Sequence, residues 1–177
     1  MRRIRYVVAM SLDGYIAGPN GEAEWITMDP DIDLRKLFDQ FDTFLLGRRT
    51  FEGMAGEGSG AQQGVRTMVF ARTLRQQDYP DITIVSKKPE EALAELRSEP
   101  GKDIWLFGGG TLFRSLLEAQ LVDTVEVSVI PVLLGEGLPL LPPTPSSERV
   151  KLKLAGSRAF EKTGIMSLEY ANEYGPA

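Results

Sequence analysis

The chain contains no cysteine and no histidine in its 177 residues. Without cysteine, disulfides, thiolate metal sites and a cysteine nucleophile are excluded. Without histidine, the commonest general base, the base of a serine triad and the commonest metal ligand are all missing. Chemistry must then rest on carboxylates, hydroxyls, Lys, Arg, water or a cofactor. Long hydrophobic runs are missing too. The N-terminal MRRIRYVVAM is basic at its start, but its apolar run is far too short for a membrane span and no small-residue cleavage site follows. The expectation is a mature cytoplasmic protein with no membrane partner. A net charge of −5 argues against a general nucleic-acid binder, although it leaves room for a local basic pocket that takes a phosphorylated ligand. There is no internal repeat, low-complexity tract or linker, and 42% hydrophobic with 25% charged residues is ordinary globular composition. One domain over residues 1–177 is expected.

What is present organises itself around residues 103–113. An apolar run, Ile104, Trp105, Leu106 and Phe107, meets Gly108, Gly109 and Gly110 and then Thr111, Leu112 and Phe113. The pattern predicts a buried strand, a tight glycine turn and a helix whose apolar face carries residues 112, 113, 116, 117 and 121. The first N–H groups of such a helix have no helical partner and its dipole favours negative charge, so a phosphate can sit there.

Earlier in the chain, residues 4–10 read as a central strand interrupted by Arg5, followed by the loop SLDGYIAGPNG, in which Asp13 reads as structural. Asp29 and Pro30 give a helix-start signal, with Leu34, Leu37, Phe38 and Phe41 at i, i+3, i+4 and i+7 as its buried face and Asp31 and Asp33 in its first turn. Residues 43–46 form a second buried strand that ends in Gly47, Arg48, Arg49 and Thr50, which brings guanidinium groups and a hydroxyl to a helix start. Residues 53–64 read as a glycine-rich loop. A strand over 67–71 ends in Arg72 and Thr73, and a short strand over 82–85 leads to an amphipathic helix over 89–97. Residues 125–129 alternate as a half-exposed strand, residues 132–145 are Leu-, Gly- and Pro-rich and not helical, and two strands around 150–154 and 165–171 pair antiparallel at a sheet edge.

Three strand ends, at 47–50, 72–73 and 108–111, therefore carry phosphate-binding chemistry. In an open α/β sheet such ends share one side, so they converge on one elongated ligand, and a phosphorylated dinucleotide fits. The glycine triplet lies late in the chain and the first strand leads into SLDGYIAG, so this is not the usual GxGxxG dinucleotide domain.

The ordered motifs AMSLDGYIAG, LLGRRTFE, VFART, WLFGGGTLF and IPVLLGEGLPLL span nearly the whole chain and resemble the dihydrofolate reductase superfamily. The closer likeness is to the branch that includes the reductase (RibD C-terminal) domain of the bifunctional riboflavin-biosynthesis deaminase/reductase. The resemblance implies a three-layer α/β/α fold with a mixed, mostly parallel sheet and antiparallel C-terminal strands. It implies NADPH as cofactor, with Ala9 and Ile16 flanking the nicotinamide and Gly47, Arg48, Arg49 and Thr50 near its phosphates. Arg72 would select the 2′-phosphate, and Gly108, Gly109, Gly110, Thr111 and Leu112 would wrap the pyrophosphate. Asp33 is the nearest match to the acid of dihydrofolate reductases, with Asp31 and Asp29 as rivals. The activity expected is hydride transfer to a small heterocyclic metabolite, pteridine- or aminopyrimidine-like. A true dihydrofolate reductase and a nucleotide-binding module without turnover are the alternatives. A homodimer is expected, through the C-terminal strands and the Leu-Pro segment 132–145.

Overall fold

In a computed structural model, residues 1–56, 64–144 and 149–174 are described. Most of the glycine-rich loop expected at 53–64 and the end of the Leu-Pro segment lie outside them. The chain runs β1 (Ile4–Ser11), β2 (Tyr15–Ala17), α1 (Leu34–Phe38), β3 (Phe41–Gly47), α2 (Arg48–Gly56), β4 (Arg66–Phe70) and β5 (Thr83–Val85). It continues with α3 (Pro89–Ser98), β6 (Asp103–Gly108), α4 (Gly110–Glu118), β7 (Thr124–Ile130), β8 (Leu138–Pro139), β9 (Leu152–Phe160) and β10 (Ile165–Asn172). Eight strands form one sheet in the order β5-β4-β3-β6-β1-β7-β10-β9, and β2 pairs with β8 in a separate two-stranded sheet.

The first six strands of that order pair parallel, and β10 pairs antiparallel with both β7 and β9. β1 sits between β6 and β7, with Tyr6 opposite Leu106 on one side and Val125 on the other. That position explains its apolar run, since a parallel strand covered on both faces needs apolar residues at both parities. On one face α3 and α4 press Leu93, Leu96, Leu112, Phe113 and Leu116 onto Ile4, Tyr6, Leu106 and Val125. On the other, Phe51 of α2 and Leu37 and Phe38 of α1 cover Phe44, Leu46, Val69 and Trp105. The result is the three-layer α/β/α arrangement with a mixed, mostly parallel sheet.

The Arg5 exception in β1 has a physical reason. Its guanidinium is buried at the N-terminal edge of the sheet, donates two bonds of 2.7 Å to the Glu126 carboxylate, and reaches Asp103. Arg2 is likewise buried, against Asp42 and Thr43. A buried guanidinium is tolerated where carboxylates neutralise it, and here these pairs gather at the edge opposite the strands' C-terminal ends.

Several expectations need correction. Asp29 and Pro30 do not start a helix: the Asp29 carboxylate takes the Asp31 N–H at 2.8 Å and the Thr163 hydroxyl at 2.7 Å, which fixes a turn instead. The helix starts after Asp33, whose side chain caps the Lys36 N–H at 3.0 Å. Phe41 belongs to β3 and Leu34 is 43% exposed, so the helical stripe is shorter than its spacing predicts. The strand over 125–129 alternates as expected at its first four positions, with Val125 and Val127 buried under α4 and Glu126 and Ser128 on the less buried face, while Val129 is partly buried.

Candidate active site

A cleft of about 1590 Å³ opens along the C-terminal edges of the parallel strands. Its lining includes Ala9, Ile16, Gly47, Arg48, Arg49, Thr50, Arg72, Gly108, Gly109, Gly110, Thr111 and Leu112, so every position expected to hold a cofactor meets in one space. The strand order sets the sequence along it. Arg72 follows β4, the two arginines follow β3, the glycine triplet follows β6, and Ala9 is near the end of β1.

α4 begins at the last glycine of the triplet, Gly110, with Gly109 as N-cap and no side chain capping it. Its first helical bond at that end is from the Phe113 N–H to the Gly109 carbonyl at 3.0 Å, so the N–H groups of Gly110, Thr111 and Leu112 have no helical acceptor. Gly108 has φ +146, a conformation that disfavours any Cβ. At Gly110 the reason for glycine is space: a Cβ would meet the Pro139 carbonyl oxygen and Pro142 Cδ at 2.9 Å each. The Pro139–Pro142 stretch is held in turn by Arg114, which donates from Nε to the Pro142 carbonyl at 2.5 Å. Leu138, Pro139 and Pro142 of the Leu-Pro segment thus close one side of the site, while Leu133 and Leu141 of the same segment are exposed.

The cationic end has one paired group and several free ones. Arg48 donates to both oxygens of Glu52 at 3.0 Å, one turn along α2. The side chains of Arg49, Arg72, Lys87 and Lys88 line the same end and make no ion pair or hydrogen bond among the described residues. Lys87 and Lys88 were missed by the sequence reading. Their signal was the same as the others: Ser86-Lys87-Lys88-Pro89 sits between β5 and α3, a fourth polar strand end at a helix start. A ligand with several phosphates fits this donor set, in which orphan N–H groups and unpaired cations line one wall.

At the other end the walls are apolar. Phe38, Trp105 and Phe107 line it, with Phe38 and Trp105 centroids 5.0 Å apart and Trp105 and Phe107 centroids 5.2 Å apart. Ile26, Ile32, Leu34 and Met54 complete that end, with Thr27 and Ser128 as neutral polar groups. Local patterning gave no hint of these, since an apolar residue lining a cleft has the same spacing as one in the core.

Ile16 lies in β2 and lines the cleft with Ala9, and the turn between β1 and β2 is tied down by Asp13. Asp13 accepts from Ser11 Oγ at 2.6 Å, from the Gly135 N–H at 2.7 Å and from the Leu134 N–H at 3.1 Å. The Ser11 hydroxyl hydrogen bond, followed by that of the Gly135 N–H, holds the Asp13 carboxyl below the usual carboxylate range. Asp13 is structural, as read. Asp31 and Asp33 are not brought to the lining. Asp31 pairs with Lys162 at 3.0 Å, Asp33 caps α1, and Glu52 is the carboxylate that does line the cleft among the described residues.

A mixed, mostly parallel eight-stranded sheet with antiparallel C-terminal pairing and helices on both faces is the dihydrofolate reductase-like class of fold. Within that class the model of the RibD C-terminal domain matches residues 2–165, and the chain belongs to this family. It is 35% identical over 181 aligned positions to the uncharacterised protein YyaP of Bacillus subtilis (strain 168), covering 96% of this chain and 94% of YyaP. The fold is similar to that of the deaminase/5-amino-6-(5-phosphoribosylamino)uracil reductase of Thermotoga maritima, with TM-score 0.74 and 18% identity over 97% of this chain and 57% of that one. It is also similar to dihydrofolate reductase of Enterococcus faecalis complexed with NADP(H), with TM-score 0.66 and 23% identity over 97% of each chain. Among the described residues no helix is long and apolar enough to cross a membrane.

Proposed function

We propose that the protein is an NADPH-dependent reductase that transfers a hydride to a small heterocyclic metabolite. The observation that carries this reading is the single cleft itself, which joins free cations after β3, β4 and β5 to the uncapped start of α4 and then to the apolar space above Ala9. Bound NADPH supplies the hydride, which suits a chain without histidine or cysteine, whose own task is to bind and orient. Arg72, with Lys87 and Lys88, takes the 2′-phosphate. Arg49, Thr50 and the N–H groups of residues 110–112 take the pyrophosphate, with Arg48 held nearby by Glu52. Ala9 and Ile16 flank the nicotinamide, and Asp13 fixes the height of the loop above it. Because Asp33 is engaged in capping and Asp31 in an ion pair, the proton that completes the reduction comes from water. The same reading includes a homodimer formed by the exposed face of β9 and β10.

Calorimetric titration with NADPH and NADH tests it. Arg72→Ala is expected to weaken NADPH about 10-fold or more, the size of a lost charge-assisted phosphate contact, and NADH by no more than about 2-fold. Equal weakening removes the role given to Arg72. Absence of NADPH binding in the wild type overturns the reading. Tight binding with no oxidation across a panel of heterocycles leaves the nucleotide-binding module, and tight methotrexate binding favours the dihydrofolate reductase.

A further inference from the structure

The apolar end of the cleft says more about the substrate than the fold does. Resting on the NADPH-reductase reading above, we infer that the substrate is an uncharged, planar, conjugated molecule that carries neither a phosphate nor a basic aminoheterocycle. Four observations lead there.

The first is the division of charge along the cleft. Among the described residues its charged lining residues are Arg48, Arg49, Glu52, Arg72, Lys87 and Lys88, and they all follow β3, β4 or β5. All lysines and arginines of the chain fall within the described residues, and no other one lines the cleft. The free cations are used by the cofactor's phosphates, and Arg48 and Glu52 neutralise each other. A phosphate placed beyond Ala9 would have no partner in an apolar setting, which is costly.

The second is the shape of the far walls. Phe38 and Phe107 each pack against Trp105 in tilted geometry, with centroids 5.0 and 5.2 Å from it, which presents aromatic faces and edges to a flat guest. Trp105 is fixed there by its own hydrogen bond, Nε1 donating to the Val7 carbonyl at 3.0 Å, so the indole nitrogen is not available to the ligand.

The third is at the mouth, where Met28 and Leu34 are 50% and 43% exposed and belong to the lining. Large apolar side chains left in solvent at the rim of a cleft mark a surface that an apolar ligand covers. The fourth is the polar complement: Thr27 and Ser128 are neutral groups that can donate to or accept from a carbonyl or ring nitrogen without demanding a charge. Ser128 lies opposite Ala9 in the β1–β7 register, so its hydroxyl sits beside the position given to the nicotinamide.

The reaction on such a substrate balances simply. Its electrophilic carbon receives the hydride, the C=N, C=C or C=O π bond breaks toward the neighbouring atom, and that atom takes a proton from water. NADPH is oxidised to NADP⁺ as the substrate is reduced.

The test uses the full-length protein. NADPH affinity is measured first by calorimetry, so that failure of the cofactor reading is seen on its own. With NADPH or NADP⁺ bound, four probes are then compared through tryptophan fluorescence quenching and NADPH oxidation: menadione, 5-amino-6-ribosylaminouracil, the 5′-phosphate of the latter, and methotrexate. Menadione is expected to quench and to be reduced. The ribosyl compound is expected to bind at least as well as its phosphate, and methotrexate is expected not to bind. Phe38→Ala should raise the KM for menadione about 10-fold with the NADPH Kd within about 2-fold. Leu34→Arg, a change at an exposed rim position, should improve binding of the 5′-phosphate over the ribosyl form about 10-fold or more. A wild type that already prefers the phosphate by 10-fold, that binds methotrexate, or that binds NADPH but not menadione overturns the inference while leaving the cofactor reading in place.

Discussion

Asp13 and Asp33 show how two acids in similar polar stretches come to differ. Asp13 lies under the cleft loop and accepts from a hydroxyl and two backbone N–H groups. Its carboxyl is more acidic folded than unfolded, so its contribution is complete above the unfolded value and is lost as pH falls through the depressed folded one. The protection of the Leu134 and Gly135 amides, taken relative to their intrinsic exchange rates at each pH, is therefore expected to hold from neutral pH down to about 4, the ordinary aspartate value, and to fall below it. Asp13→Asn puts an NH₂ donor toward those donors; it is expected to quicken the same exchange at pH 7 and to weaken NADPH about 3- to 10-fold. Asp33 instead caps α1. Asp33→Ala is expected to cost about 1 kcal/mol in chemical denaturation, with turnover within about 2-fold. A fall in kcat by orders of magnitude without loss of stability would make Asp33 the proton donor after all. At this scale the sequence revealed chemistry by type but not by direction: Arg49 and Arg72 could be placed because a cation after a strand reaches the strand's end, whereas an acid in a loop can turn either way.

Elements were legible where two signals agreed. The strand, glycine turn and helix over residues 103–118 had an apolar run, a triplet that tolerates unusual backbone and a following amphipathic face, and β6 and α4 form there. α1 failed because one signal imitated another. Leu34, Leu37 and Phe38 are helical, but Phe41 continues their spacing by accident and is buried by β3. The close fit around α4 yields a prediction. In Gly110→Ala the new methyl would stand 2.9 Å from the Pro139 carbonyl oxygen and from the Pro142 ring, neither of which can swing away as a flexible side chain can. Overpacking of this kind costs about 1–3 kcal/mol, so thermal unfolding should shift down and NADPH affinity should fall with it, because the start of α4 is displaced. Gly53→Ala makes the control within α2: nothing lies within 4 Å of its Cβ position, and removing a helical glycine is expected to stabilise by up to about 1 kcal/mol.

The molecule as a whole places its site and the exposed apolar strip of β9 and β10 at different parts of one sheet. That the polar strand ends share an edge was readable from β-α-β alternation. The order placing β1 between β6 and β7 was not, because pairing between distant strands leaves no local pattern. The far edge is where the remaining prediction lies. The face of β7 that α4 covers, with Val125 and Val127, continues through the register onto Met166, Leu168 and Tyr170 of β10 and then onto Leu154 of β9. There the helical layer has ended: Leu152, Leu154 and Met166 are 41%, 54% and 39% exposed, and β9 is the outermost strand. An uncovered apolar strip beside a free strand edge favours association, and a second copy offers the matching strip. Sedimentation equilibrium is expected to return about twice the 19.6 kDa chain mass at micromolar concentration. Replacing Leu152 and Leu154 together by Lys should give the single-chain mass, since charges on that strip oppose its burial. Because the cations that hold the cofactor follow β3, β4 and β5 at the other side of the sheet, the same double variant should keep its NADPH Kd within about 2-fold. A wild type that sediments as a single chain removes the dimer, and a double variant that remains paired moves the contact away from β9.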